Sequence, residues 1–283
     1  MYKLKIIYAY YVKNEFNDLY KYHLKNFNNM LNTNKYNENY FSDINFYLLI
    51  DDINNEELIN ETKKNILLYI NNNYKIYFHI VQNNPIYREG IIYKTEVIDK
   101  LDQYDENQLI LFMHTKGVTN ELNNKYYWNT VDWITAMYFY NLGNINFIYE
   151  KFYNEDIITF GTIYNYDDSS LVKYKWQYTG SFHWIYPYRF MKYIQKNNIN
   201  YKDIKDHYSF NTTIKYCAEA FVGDNIETKY AGFYDDDLFN KQCSHFLCED
   251  STLPYKNILY VLSDLSHSYR HDIFLEYLHS LTI

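Results

Sequence analysis

Apolar runs alternate with helical patterns along the first half of the chain. Four runs predict buried strands, and the segments between them carry apolar residues at the spacing of amphipathic helices. The predicted strands are Lys3–Tyr11, Ile44–Ile50, Lys75–Val81 and Gln108–Met113, and the predicted helices are Asn14–Leu31, Asn55–Ile70 and Gly90–Leu101. Strands that alternate with helices of this length need crossover connections. The pattern therefore predicts an α/β fold with a mostly parallel central sheet flanked by helices.

The second half of the chain has a more mixed pattern. It predicts a helix at Trp133–Tyr149, strands at Asp156–Thr162 and Trp176–Tyr186, and helices at Pro187–Lys196 and His271–Leu281. No repeat, linker or charge block marks a domain boundary. The 283 residues fit one large α/β domain or two smaller ones, and the scarcity of Gly and Pro favours a single compact unit.

Charge and cysteine content narrow the class of function. A formal net charge of −8 argues against a general nucleic-acid-binding protein, which usually shows a basic excess. Three cysteines without a C-x-x-C pair do not make a disulfide framework. No cleavage site follows the N-terminal apolar run and no long apolar stretch occurs, so we expect a cytoplasmic protein without a transmembrane segment. No G-x-G-x-x-G follows the first strand, which disfavours a dinucleotide oxidoreductase.

Polar residues follow the predicted strands at the edge of the sheet where ligands bind in open α/β folds. These places are Tyr8–Tyr11, Asp51-Asp52, Asn83–Gly90 and His114–Gly117. In the last of them, Lys116 can neutralise a diphosphate, His114 can donate to a phosphate oxygen, and Gly117 lets the backbone turn. The alternative is an ordinary polar loop after a buried strand.

Two downstream segments are candidates for the acceptor side of a site. The segment Tyr178–Trp184 brings Gly180 close to aromatic and hydroxyl groups, which suit the apolar and polar faces of sugar rings. The segment Ala218–Asp224 carries carboxylates that can act as a general base towards a hydroxyl. Core packing is the alternative for the first segment, and a helix-surface or capping role is the alternative for the second.

Taken in order, these motifs resemble the GT-A-fold glycosyltransferases of bacterial polysaccharide clusters and giant DNA viruses, which are related to the rhamnan-synthesis type. The matching residues are Asn14-Glu15, His114–Gly117, Asp132-Trp133 with Met137, Gly180–Trp184, and Glu219 to Asp224. The resemblance covers about residues 3–225. It implies a GT-A-like domain over residues 1–226, with a nucleotide-binding half at 1–120 and an acceptor half at 121–226. Residues 227–283 would form a C-terminal extension packed on the same domain.

The resemblance implies transfer of a sugar from a nucleotide-sugar donor, with a UDP-sugar as the first expectation, to a hydroxyl of a glycan or glycoprotein. Tyr8 or Tyr10 would stack on the base, Asp51 or Asp52 would accept from the base or ribose, and Arg88 or Glu89 would lie at the edge of the nucleoside. The implied diphosphate ligands are His114 and Lys116, and the implied acceptor residues are Gly180, His183 and Trp184. Glu219 would be the general base, with Asp224 in reserve.

The sequence leaves two ways of neutralising the diphosphate. GT-A enzymes usually hold Mn²⁺ or Mg²⁺ with a D-x-D motif. Here the expected strand end reads His-Thr-Lys, and a D-x-D occurs only in the run Asp235–Asp237, while Asp167-Asp168 resembles a turn. Either Lys116 replaces the ion or a metal is held by other residues.

Two further classes of function stay open at this point. A non-catalytic carbohydrate- or nucleotide-binding protein with the same fold would have a crevice without a base, so the place of Glu219 relative to Gly180 distinguishes it from an enzyme. An assembly protein with a Tyr- and Asn-rich surface would have no deep pocket at the strand ends.

Overall fold

The architecture is taken from a computed structural model, which describes residues 2–14, 16–33, 41–70, 74–115, 118, 127–143, 145–161, 164–165, 177–178, 182–208, 214–225 and 230–232. The strands are β1 (Lys3–Tyr11), β2 (Phe41–Ile50), β3 (Ile76–Gln82), β4 (Gln108–His114), β5 (Thr159–Gly161), β6 (Tyr164–Asn165), β7 (Gln177–Tyr178), β8 (His183–Ile185) and β9 (Tyr230–Gly232). The helices are α1 (Asp18–Thr33), α2 (Glu56–Tyr69), α3 (Gly90–Ile92), α4 (Tyr127–Tyr138), α5 (Ile145–Asn154), α6 (Pro187–Lys196), α7 (Tyr201–His207) and α8 (Ile214–Asn225). A π-helical turn (Tyr93–Val97) and a 3₁₀ segment (Ile98–Gln103) continue α3, and a second π-helical turn (Phe139–Gly143) lies between α4 and α5.

Seven strands form one mixed sheet in the order β3-β2-β1-β4-β8-β5-β9. The pairs among β3, β2, β1 and β4 are parallel, and so is the pair of β5 with β9. Only β8 is antiparallel to both of its neighbours, and β6 and β7 form a separate antiparallel pair. The predicted α/β class with a mostly parallel sheet flanked by helices is confirmed, and the arrangement is consistent with a GT-A-like fold.

Helices cover both faces of the sheet. On one side, here called the α1 face, apolar residues of α1, α2, α4 and α5 pack against alternate positions of β1, β2 and β4. On the other side, the α3 face, the segment from Ile92 to Leu101 packs together with α6, α7 and α8. Because the central strands are buried on both sides, their sequences are near-continuous apolar runs rather than alternating ones.

The start of α2 shows why a helix begins beside the carboxyl end of β2. The Asn55 side chain accepts a hydrogen bond from the Leu58 N–H at 3.1 Å and so caps the first turn. Glu56 and Glu57 follow in that turn, where negative charge is favoured by the helix dipole. The helix then buries Ile59 and Ile66 against the α1 face.

The second half differs from its sequence prediction in two places. The predicted helix Trp133–Tyr149 is divided by the π-helical turn, in which the Asn141 side chain donates to the Met137 carbonyl at 2.9 Å. The predicted strand Trp176–Tyr186 is two strands, β7 and β8, that belong to different sheets. In both places the apolar pattern of the sequence continues from one element into the next.

The end of the chain is described only in part. β9 pairs with β5 in the main sheet, and the predicted helix His271–Leu281 lies outside the described residues. The division of the chain at residues 120 and 226 stays a prediction. Within the described ranges, no helix is long and apolar enough to cross a membrane.

Candidate functional site

The direction of strand addition reverses at β1. From β1 the chain adds β2 and then β3 on one side, with α1 and α2 packed on the α1 face. It then crosses on the opposite face through the α3 segment and adds β4 on the other side of β1. In open α/β sheets, such a reversal opens a crevice at the carboxyl ends of the strands, where ligands bind.

An open cleft of about 490 Å³ lies at this edge, beside the carboxyl ends of β1 and β2. Its volume is within the range of small-molecule sites. Its lining combines acidic, basic, amide and apolar side chains, from Tyr11, Val12, Lys13, Asn14, Ile50, Asp51, Asp52, Asn55 and Leu58.

Asp51 is held in this cleft by neighbours from both adjacent strands. Its Oδ1 accepts a hydrogen bond from the Asn83 side chain at 2.6 Å, and its Oδ2 accepts one from the Tyr11 hydroxyl at 3.4 Å. The Gln82 side chain donates to the Asp51 carbonyl oxygen. Asp51 is nevertheless exposed, so its carboxylate is oriented without being removed from solvent. Asp52 instead accepts from the Asn54 N–H at 3.0 Å and shapes the turn.

Arg88 and Asp51 shift the pKa of Tyr11 in opposite directions. Burial raises the pKa of the Tyr11 hydroxyl, and the Asp51 carboxylate raises it further, while the Arg88 guanidinium lowers it. The phenol therefore stays protonated and available as a donor. Arg88 has φ of 47°, in the left-handed region that non-glycine residues rarely occupy, and its N–H donates to the Asn84 carbonyl at 2.7 Å. Such backbone outliers often occur at functional sites.

The ends of β1 and β4 are joined by Thr115. Its hydroxyl accepts from the Tyr11 N–H at 2.9 Å, and its own N–H donates to the Ala9 carbonyl at 3.1 Å. The preceding residue, His114, is buried, with Nδ1 3.6 Å from Glu89 Oε1. A protonated His114 would form an ion pair with Glu89 at this distance. His114 thus brings a paired carboxylate to the end of β4, on the other side of β1 from Asp51.

The residues at the strand ends were predicted as one donor set, and the structure describes most of them. Asp51 and Asp52 line the cleft, Arg88 lowers the pKa of Tyr11, and Glu89 lies 3.6 Å from His114. Lys116 lies outside the described residues, as does Gly117. Tyr11, Asn83 and Thr115 lie within the strand-end segments that the sequence indicated, but the sequence predicted no role for any of the three.

Tyr8 and Tyr10, the predicted base-stacking residues, are instead buried in the core. Side chains alternate along a strand, so Tyr8 and Tyr10 point to the α1 face, where helices cover them. The Tyr8 hydroxyl contacts the Tyr138 hydroxyl, and the Tyr10 ring lies 5.4 Å from the Tyr20 ring. The aromatic residue of β1 that reaches the cleft is Tyr11.

The predicted acceptor residues are also placed in the core where they are described. His183 and Trp184 lie on β8, an inner strand between β4 and β5, and both are fully buried. His183 Nε2 is 2.8 Å from the Tyr93 hydroxyl, and the Trp184 ring N–H donates to the Asn141 carbonyl at 3.1 Å. Neither side chain is open to an acceptor. Gly180 lies outside the described residues.

Helix α8 carries both predicted general bases. The Cys217 thiol lies 3.2 Å from the Gly90 carbonyl, so the middle of α8 is next to the segment that follows Glu89. Glu219 is two residues further along the helix, and only its backbone position is described. Asp224 lies about 10 Å along the axis from Cys217 at 1.5 Å per residue and accepts from the Tyr208 hydroxyl at 2.6 Å. This hydrogen bond gives Asp224 a packing role.

The sequence left open whether Lys116 or a metal ion neutralises the diphosphate. Among the described residues, no group of three or more His, Cys, Asp or Glu side chains is placed to hold a metal ion. The acidic runs Asp167-Asp168 and Asp235–Asp237 lie outside those residues.

The comparisons with known proteins include a distant structural match. No protein-family model matches the chain, and no curated protein matches it. A solved structure that matches is 4-diphosphocytidyl-2C-methyl-D-erythritol synthase from Anaerococcus prevotii, with 9% identity and a TM-score of 0.40 over 93% of this chain and 97% of that chain. A likeness at this level does not indicate a shared activity.

Proposed function

We propose that this protein is a glycosyltransferase, which transfers a sugar from a nucleotide-sugar donor to a hydroxyl of a glycan or glycoprotein. The observation that carries the proposal is the open cleft at the reversal point of the sheet. An oriented carboxylate follows β2, and His114, which is paired with Glu89, ends β4, so these groups flank the end of β1. The ordered motifs of the GT-A-fold resemblance point to the same class of reaction.

The cleft offers complementary groups for a nucleoside diphosphate. The Asp51 carboxylate, held by Tyr11 and Asn83, would accept hydrogen bonds from a base N–H or ribose hydroxyl. Arg88, His114 and Lys116 would face the negative charge of the diphosphate, with Lys116 as a compact point charge. A divalent metal would share that role if the acidic runs outside the described residues reach the site.

Transfer with inversion needs one base on the acceptor side. The acceptor oxygen attacks the anomeric carbon, the bond from that carbon to the diphosphate oxygen breaks, and the base takes the hydroxyl proton. Glu219 is the proposed base because α8 packs next to Gly90, which follows Glu89, the partner of His114. A retaining mechanism would not need it.

The first test is a thermal-shift screen of the full chain against UDP-, GDP- and dTDP-sugars, with and without Mn²⁺. A ligand that binds only the folded state adds about 2.7 kcal/mol of stability at a hundredfold excess over Kd, so the matching donor should raise Tm by several degrees. The corresponding free sugar is the control and should not shift Tm. No shift with any donor contradicts the proposal, and binding without transfer or hydrolysis favours the non-catalytic alternative.

The second test changes the carboxylate in the cleft. Asp51→Ala should weaken binding of the matching donor by about 1.5–3 kcal/mol, or roughly ten- to a hundredfold in Kd, because it removes a charge-assisted acceptor. The measurement is isothermal titration calorimetry. Glu57→Ala is the matched control, since Glu57 is an exposed acid in the first turn of α2 that does not line the cleft. Equal Kd values for Asp51→Ala and the unmodified protein would show that Asp51 does not bind the donor.

A further inference from the structure

Exposed apolar side chains are concentrated around β3, at the edge of the sheet. Eight large hydrophobic residues are exposed within the described part of the chain, and six of them lie between residues 53 and 86. These six are Ile53, Leu67, Leu68, Tyr77, Ile80 and Ile86. Single exposed apolar residues are ordinary on a protein surface, so the number of them near one edge strand is the informative feature. Because side chains alternate along a strand, Ile80 lies on the α1 face and Tyr77 on the α3 face, so both faces of the sheet are apolar at this edge.

Among the described strands, β3 stands at the edge of the sheet. Its inner side pairs in parallel with β2 from Ile76 to Gln82, in continuous register, and no described strand pairs with its outer side. Its seven residues, IYFHIVQ, contain no acidic residue, lysine, arginine or proline. Natural edge strands are usually blunted by charges, prolines or bulges, so an edge of this kind favours pairing with another strand.

We propose that β3 pairs with β3 of a second copy of this chain, antiparallel about a twofold axis, so that the two seven-stranded sheets become one. A twofold interface needs a surface that complements itself. With the axis near His79, the middle of the strand, Tyr77 lies opposite Val81 of the second copy, and Phe78 lies opposite Ile80. Each such pair joins an aromatic to a β-branched side chain, a favourable cross-strand combination.

The charges of α2 fit the same arrangement. Glu56, Lys63 and Leu67 recur at the spacing of one helical stripe. Tyr69 lies on the opposite side of α2, where its ring centroid is 6.1 Å from that of Phe16, just before α1. That stripe therefore faces the β3 edge. The first turn of α2 is acidic, and its lysines follow two turns later. An antiparallel twofold brings the acidic half of each α2 towards the basic half of the other, whereas a parallel arrangement would bring like charges together. A second copy supplies both the strand and the complementary charges.

The test is the oligomeric state of the full chain, by light scattering after size exclusion and by sedimentation over a wide range of concentrations. We expect the unmodified protein to dimerise. Ile80→Lys should raise the dimer dissociation constant about tenfold or more, because it puts two ammonium groups close to the twofold axis. Ile80 is 38% exposed, so the variant should fold, which circular dichroism checks. Tyr153→Lys is the matched control, since Tyr153 is exposed but lies on α5, away from β3, and it should remain dimeric.

A charge swap distinguishes the specific dimer from nonspecific hydrophobic association. Glu56→Lys and Lys63→Glu should each weaken the dimer, and the double variant should restore it. Hydrogen exchange of the amides in β3 should be slow in the dimer and faster in Ile80→Lys. A monomer at every concentration overturns the proposal, as does a dimer that Ile80→Lys leaves intact. A monomer with protected β3 amides overturns it too, because another segment of the chain would then cover the edge.

Discussion

Glu219→Gln is expected to reduce the transfer rate by about 10²–10⁴ while leaving the Kd for the donor unchanged. A general base takes the proton of the acceptor hydroxyl as that oxygen bonds to the anomeric carbon. Glutamine keeps the shape and loses this capacity. The measurement is single-turnover transfer from the donor found in the thermal-shift screen, with Kd measured separately by calorimetry.

Asp224→Asn is the matched control, because it removes a carboxylate from the same helix. Asp224 accepts a hydrogen bond from Tyr208, and this carboxylate raises the pKa of the Tyr208 hydroxyl after the larger contribution of burial. Asp224→Asn should therefore lower the free energy of unfolding and leave turnover per folded molecule close to normal. Near-normal turnover by Glu219→Gln together with slow turnover by Asp224→Asn would transfer the base role to Asp224. Near-normal turnover by both would indicate a retaining mechanism.

The central part of the fold could be predicted because its strands are buried on both faces. The runs at Ile44–Ile50 and Gln108–Met113 are apolar enough to stand out, and each lies within a strand of the structure. The helix predicted at Asn55–Ile70 agrees with α2 to within one residue at each end, because a capping asparagine marks its start. These elements also placed Asp51, Asn83 and His114 at one edge of the sheet.

The role of each aromatic residue could not be predicted in the same way. Tyr8, Tyr10 and Tyr11 are consecutive aromatic positions of β1, and which of them meets a ligand depends on which face the helices cover. That choice is made by packing between distant segments, such as the contact of Tyr8 with Tyr138 on α4. The role of Trp184 depends on packing in the same way. A tryptophan near glycine and serine suggests a surface for a sugar ring, but β8 lies inside the sheet and the ring is in the core.

Trp184→Ala is expected to lower the free energy of unfolding by about 3–5 kcal/mol, the usual cost of emptying a large aromatic site in a core. The ring is fully buried on the α1 face, with its centroid 5.9 Å from that of Tyr149 and 6.4 Å from that of Phe152. Its N–H donates to the Asn141 carbonyl, which belongs to the π-helical turn between α4 and α5. The side chain therefore fixes α5 and the π-helical turn against β8. Denaturant unfolding measures the loss, and Tyr153→Ala, at an exposed position of α5, should cost little.

Trp184→Phe separates this packing role from contact with an acceptor. Phenylalanine retains most of the ring volume but removes the N–H donor to Asn141, so stability should fall by about 0.5–1.5 kcal/mol for the hydrogen bond, with a further cost for the missing atoms. A packing role leaves the KM for the acceptor unchanged in the folded variant. A KM raised severalfold with unchanged stability would instead show that Trp184 contacts the acceptor. Because the ring is enclosed by β8, α5 and the π-helical turn, we expect the stability to change and the KM to stay the same.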